Sequence, residues 1–296
     1  MKKFLAKMSF AVVTAIATGA VYGVSGQDGS GAGMGGVGVG GSSTPSYQVL
    51  APGSVVAGKT IAAWTADWWA WAWNSPAAAD PLNDTSGAFA AQNNSGPVFF
   101  LAGSNMSGSV QRAFDVPEGK ALLIPMINYW ENCPGNVALS CPGYPADPKP
   151  TMAANVAYYR NSVTDIFASI DGTPVSDPYT RWEVSDFFSG GTAQVGTAIV
   201  ALYNFYGVNI VGQDISPSLA SGYYAMVTGL TTGAHTLVYG GSTTAFGDFA
   251  YQATANINVV AVPEAQTYAL LLAGLALVFM QFRRKLRLST TRCRLN

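Results

Sequence analysis

Charge and histidine are both scarce in this sequence. Only 10% of the 296 residues are charged, and His235 is the single histidine. A lone histidine excludes metal centres built on two imidazoles. The three cysteines do not make up the deficit for zinc, because Cys293 lies in a basic C-terminal tail remote from Cys133 and Cys141. His235 could serve a serine triad, yet no Gly-x-Ser-x-Gly elbow accompanies it. No catalytic residue is assigned and no cofactor is expected.

Basic residues are rare in the middle of the chain. Lys2, Lys3 and Lys7 lie at one end, and Arg283, Arg284, Lys285, Arg287, Arg292 and Arg294 at the other. Between them stand only Lys59, Arg112, Lys120, Lys149, Arg160 and Arg181, against all the acidic residues except Glu264, so residues 27–263 carry a net charge of about −9. A body this acidic, with no basic stripe, excludes nucleic acid as a natural partner.

Residues 1–26 read as a secretion signal. Met1-Lys2-Lys3 is charged, an apolar stretch runs from Phe10 to Tyr22, and small residues precede a cut after Gly26, or alternatively after Ala20. A retained membrane anchor is the competing reading, and the shortness of the apolar run counts against it. Gln27 to Gly41, QDGSGAGMGGVGVGG, lacks the apolar side chains of a core and reads as a flexible linker extending to residue 46. No strand precedes these glycines and no GK[ST] closes them, so they do not form a phosphate cradle.

At the other end, Val262-Pro263-Glu264-Ala265 precedes an uncharged, mostly apolar run from Gln266 to Phe282, and Arg283-Arg284-Lys285 follows at once. Such a run is at the short limit for crossing a bilayer as a helix. The basic cluster should stay cytoplasmic together with residues 286–296, leaving Val262 to Glu264 on the outer face. Over residues 262–285 this order of motif, helix and arginines resembles the PEP-CTERM sorting signal. The resemblance implies export across the inner membrane of a Gram-negative bacterium and transient residence in that membrane. It also implies processing by an exosortase-type enzyme, with the product at the cell surface or released. Ala265 departs from the usual second proline, and residues 286–296 run past the usual end. A plain C-terminal anchor is the competing reading.

In the body, residues 47–260, two segments read as amphipathic helices. Ile61, Trp64, Trp68 and Trp71 share one face between Lys59 and Trp73, with Asn74-Ser75-Pro76 as the stop. Met152, Val156, Tyr159, Val163, Ile166 and Ile170 recur at helical spacing between Thr151, the expected N-cap, and Ile170. Elsewhere strands are expected. Phe249 to Val259 alternates cleanly, and Gly222–Leu230 with His235–Gly240 suggests a hairpin across Thr231 to Ala234. Further strands are expected over 98–103, 110–116, 121–127, 180–188 and 197–205, with Pro125 at an edge or bulge. The fold class is mainly β: an antiparallel β-sandwich-like domain with two packed helices. The wording AGKTIAAWTADWWAWAW, SGPVFFLAGS, VPEGKALLIPMIN and GYYAMVTGLTTGAHTLVYGG resembles a group of secreted bacterial proteins with no assigned activity.

Cys133 and Cys141, eight positions apart, are expected to form a disulfide in an oxidising compartment. His235 is expected half-buried in an alternating strand, in register with Leu237 and Tyr239. Trp69 and Trp73, an i,i+4 pair off the inward face, are either core or an aromatic platform for a sugar ring or a membrane interface. Asp80, Asn83 and Asp84 are weak calcium candidates in a turn-rich stretch whose spacing does not match an EF-hand. Asp84, Asp115, Glu131, Glu183 and Asp186 are all eligible as glycosidase carboxylates, and nothing in the sequence pairs them. The expected function is an exported envelope or extracellular-matrix protein with a non-enzymatic structural or binding domain, with exopolysaccharide as a candidate partner. The alternative is a secreted hydrolase acting on polysaccharide.

Overall fold

The computed structural model describes residues 47–135, 141–245, 247–262 and 279–280. The expected signal peptide over 1–26, the expected linker over 27–46, Pro263, Glu264, Arg283, Arg284, Lys285 and residues 286–296 lie outside the described residues. The chain divides into two compact units, residues 1–259 and 260–296. Of the second, Val262 is exposed, and Phe279 and Met280 of the apolar run are helical. No helix among the described residues is long and apolar enough to cross a membrane.

The first unit is mainly β. One sheet holds β1 (Gln48–Val49), β10 (Ser218–Thr228), β6 (Ala121–Asn132) and β4 (Val98–Phe100) in that order, with β9 (Trp182–Val184) also paired to β10. A second sheet has the order β5 (Gly108–Pro117), β12 (Phe249–Val260), β11 (Gly233–Thr243), β7 (Val163–Ile170) and β8 (Thr173–Pro174). A short ribbon pairs β2 (Val55–Val56) with β3 (Lys59–Thr60). β1, β6 and β9 pair with β10, β12 and β7 with β11, β8 with β7 and β2 with β3 in antiparallel fashion, whereas β4 and β6 run parallel.

The alternation expected of Phe249 to Val259 is present: Tyr251, Ala253, Ala255, Ile257 and Val259 are buried while the residues between them are wetter. β6 and β10 carry apolar residues on both faces because both faces are covered. Leu122, Ile124, Tyr223 and Val227 join a core shared with the second sheet, whereas Leu123, Tyr224 and Met226 join a core under the helices. Pro125 falls at a bulge, where the register with β10 slips between Tyr223 and Tyr224.

Helix α1 (Ile61–Asn74) forms where its period predicts. Thr60 caps it by accepting from the Ala63 N–H at 3.2 Å. Three indoles anchor its inner face: Trp64 donates to Val56 O, Trp68 to Leu101 O and Trp71 to Gln92 O.

Four expectations need correction. The helix expected over 151–170 is α2 (Lys149–Asn161) followed by β7, and Pro148 rather than Thr151 stands at the N-cap. Ile166 and Ile170 satisfy both a 3.6-residue and a 2-residue period, and burial of Ile166, Ala168 and Ile170 shows that the second applies. The segment 197–205 is a third helix, α3 (Ala198–Phe205), packed with α1, and its buried Ile199, Val200 and Tyr203 follow a helical face. The strand expected over 180–188 shrinks to β9, preceded by a single 3-10 turn, Pro178–Thr180. Finally, β10 and β11 are not hairpin partners. The turn between them carries the chain from one sheet to the other, and β11 pairs with β12 and β7 instead.

Candidate functional site

The acidic stretch 80–87 is a loop that closes on itself. Asp84 accepts from the N–H groups of Ser86, Gly87 and Phe89 and from the Ser86 hydroxyl. Burial pushes its carboxyl up, but these bonds outweigh burial and hold it below the usual range. Asp80 accepts from Leu82 N–H and the Asn83 amide, and burial raises its carboxyl to about 6 against the pull of that N–H and of Arg112. The cation of this loop is supplied by the chain. Buried Arg112 of β5 donates to the carbonyls of Asp84, Ala102 and Gly103 at 2.7, 2.5 and 2.8 Å, with Pro81 O at 3.4 Å. At the calcium candidates, the Asp80 and Asp84 carboxylates accept bonds from within the loop, the Asn83 amide donates to Asp80, and the Arg112 guanidinium fills the carbonyl cage. No group of three or more His, Cys, Asp or Glu side chains among the described residues could hold a metal.

Gly53 to Thr60, GSVVAGKT, has the spacing of a phosphate-binding loop and leads into α1, a match the sequence reading missed. The structure gives it another use. Val55 pairs with Thr60 and Val56 with Lys59 as a ribbon, and the Lys59 ammonium binds Asp67 at 2.6 Å. The Gly53 N–H donates to the Glu183 carboxylate at 3.0 Å, so a carboxylate stands at the loop where a phosphate would need positive potential.

The densest polar chemistry lies at the end of β6, Asn128 to Cys133. Alternate side chains leave opposite faces of the strand. On one face Tyr129 stacks on Tyr159, and its hydroxyl and that of Tyr144 both donate to buried Glu131, the latter at 2.6 Å. Asn155 of α2 donates to the Tyr144 hydroxyl. Burial pushes the Glu131 carboxyl above the usual range, a push that the bonds from Tyr129, Tyr144 and Asn155 only partly offset. On the other face Trp130 stacks on Trp69 and Trp73, with centroids 5.9 and 5.6 Å away, and Asn132 accepts from Tyr203 of α3 at 2.6 Å.

Two sequence expectations meet here. Cys133 and Cys141 are disulfide-bonded, with Cα atoms 5.6 Å apart. The bond carries Tyr144 toward Glu131, since the Tyr144 N–H donates to Cys141 O. The aromatic platform is corrected: Trp69 and Trp73 are each only 7% exposed, because Trp130 covers them. Gly222 of β10 permits the tight pairing beneath, for at its φ of 154° a Cβ would lie 2.6 Å from Asn128 Cα.

The five eligible carboxylates sit on different elements with different partners. Asp84 closes its own loop, Asp115 accepts from Asn258, Glu131 binds phenols, and Glu183 accepts from Gly53, while Asp186 is exposed. His235 lies in β11 opposite Ile257, bridging the Asp171 carboxylate and Thr231 O at 2.8 and 2.9 Å.

No family model and no curated protein matches the chain. A chain from the solved structure of PbICP-C in complex with falcipain-2 is similar at 12% identity, over 56% of this chain and 100% of its own length, with a TM-score of 0.21. A likeness of that size carries no argument about fold or function.

Proposed function

We propose that this chain is an exported envelope or extracellular-matrix protein with a non-enzymatic structural or binding body, delivered by a PEP-CTERM-type tail over residues 262–285. In this reading the two five-stranded sheets pack as a β-sandwich-like core, which is supported by the single apolar cluster to which both contribute side chains. Export rests on the secretion-signal pattern of residues 1–26 and the motif, apolar run and basic cluster of residues 262–285, and the Cys133–Cys141 disulfide is compatible with it, because such bonds persist in oxidising compartments. The position of the motif adds support. β12 ends at Val260, and exposed Val262 follows, so the motif begins where the fold of the body ends.

The non-enzymatic reading is supported by how the polar groups are used. Asp80, Asp84, Glu131 and Glu183 are bound into loops and clusters that hold the fold together. In the native host, protease added to intact cells should digest the body, or the body should be recovered from the medium. Recovery only from the cytoplasm, with thiols free at Cys133 and Cys141, would defeat the proposal.

A further inference from the structure

Of the six basic side chains between residues 27 and 263, four are taken up by the protein. Lys59 binds Asp67, Arg112 its carbonyl cage, Lys120 the Asn94 carbonyl, and Arg181 the carbonyls of Ser176 and Leu50. The other two, Lys149 and Arg160, are exposed, stand at opposite ends of α2, and lie over aromatic rings of one neighbouring segment. The Lys149 ammonium is 5.5 Å from the Phe187 ring, and the Arg160 guanidinium 5.6 Å from the Trp182 ring. A third ring extends the series. Tyr179, 53% exposed, has its hydroxyl 3.5 Å from the Asp165 carboxylate. Tyr179 and Trp182 both meet buried Tyr223 edge-on, which fixes their orientation from below.

We infer that the seam between α2 and the segment Tyr179–Phe187 binds an extended, uncharged polysaccharide through three ring-and-charge pairs: Tyr179 with Asp165, Trp182 with Arg160, and Phe187 with Lys149. A pyranose presents an apolar C–H face inside a rim of hydroxyls. One aromatic ring with one charged group in reach matches both parts: the sugar stacks on the ring by displacing the exposed cation that lies weakly over it, and the charge then hydrogen-bonds the rim hydroxyls. Eleven helical steps separate Lys149 from Arg160, about 16 Å at ~1.5 Å each, which leaves room for several sugar rings.

The charge pattern selects the ligand class. Asp165 meets the Tyr179 hydroxyl, and exposed Asp177, Asp186 and Asp147 stand within two residues of Tyr179, Phe187 and Lys149 in the chain, so two cations among four carboxylates would repel an acidic glycan. Alternation of ring and charge also breaks up the continuous apolar centre that a protein partner would need. The inference rests on the matrix-protein reading above and names the ligand of that body.

The full chain, in a polyoxyethylene detergent, should be tested by affinity electrophoresis in gels containing laminarin, dextran or hydroxyethylcellulose, with alginate as the acidic comparison. Retardation by at least one neutral polysaccharide is expected. Y179A and R160A should each weaken it at least fivefold, while F205A, an exposed ring on α3, should leave it unchanged. F187A, a mildly exposed position, provides a second ring variant, and circular dichroism checks that each variant is folded. No retardation by any neutral polysaccharide, retardation by alginate alone, or retardation that survives both Y179A and R160A would overturn the inference. None of these results touches export, which is read from cell fractions and mass.

Discussion

Asp171 grips β11 from a left-handed turn, with one carboxylate oxygen on the Thr236 N–H and the other on His235 Nδ1, both at 2.8 Å. The second imidazole nitrogen faces Thr231 O at 2.9 Å. Both ring nitrogens therefore face acceptors, a setting that suits the doubly protonated ring. Burial works against the charge, but the Asp171 hydrogen bond, the Thr231 carbonyl and the Asp171 charge outweigh it, so the His235 pKa is raised.

A raised histidine pKa gives stability that is complete below the unfolded value, about 6.5, and is lost as pH rises through the folded value. Urea midpoints measured from about pH 6 to about pH 9 should therefore fall. Asp171→Asn keeps a residue tolerated in the left-handed region but removes the charge, so the fall should flatten. An unchanged slope in that variant would show that the pair does not set it.

Arg112 is the strongest single stability prediction. Its fork reaches carbonyls on two segments that a lysine ammonium cannot span together. Arg112→Lys should cost at least ~3 kcal/mol in urea unfolding, since buried carbonyls lose charged donors. A loss under ~1 kcal/mol would mean that water replaces the guanidinium without penalty.

Glu131 has the opposite chemistry, a buried carboxyl held among phenols. Its raised pKa means that its contribution is complete below the unfolded value and is lost as pH rises through the folded one. Glu131→Gln should keep the fold, flatten that dependence and raise the urea midpoint most at high pH. A Gln variant that is equally destabilised at all pH values would contradict the assignment.

Replacing Cys133 and Cys141 together by serine should lower stability by ~2 to 3 kcal/mol, the value expected for closing a short loop. The loss should appear in thermal unfolding against the oxidised protein and be absent when the variant is compared with reduced wild type. A variant as stable as the oxidised protein would mean that the loop is held by Tyr144 and Asn155 alone.

Much of this arrangement was legible in the sequence where one period acts alone. Phe249 to Val259 and the Trp helix carry unambiguous periods of two and 3.6, and both formed where expected. Ile166 and Ile170 fit both periods, so only burial decides between them. The turn 231–234 has the length of a hairpin loop, but the partner of a strand is set by long-range packing, and β10 is taken by β6. The platform at Trp69 and Trp73 failed because Trp130, some sixty residues away, covers it. The Arg112 cage left no local mark, since its acceptors are backbone carbonyls, which every residue has.

The central claim, export followed by removal of the tail, is tested most directly by intact-mass measurement of the protein from its native host, with and without the host's exosortase. With the enzyme present, the account predicts a product that begins near Gln27 and ends close to Val262-Pro263-Glu264, with Cys133 and Cys141 oxidised. Without the enzyme, residues 266–296 should remain. A product that keeps those residues in the presence of the enzyme would contradict the sorting account and leave the tail as an anchor.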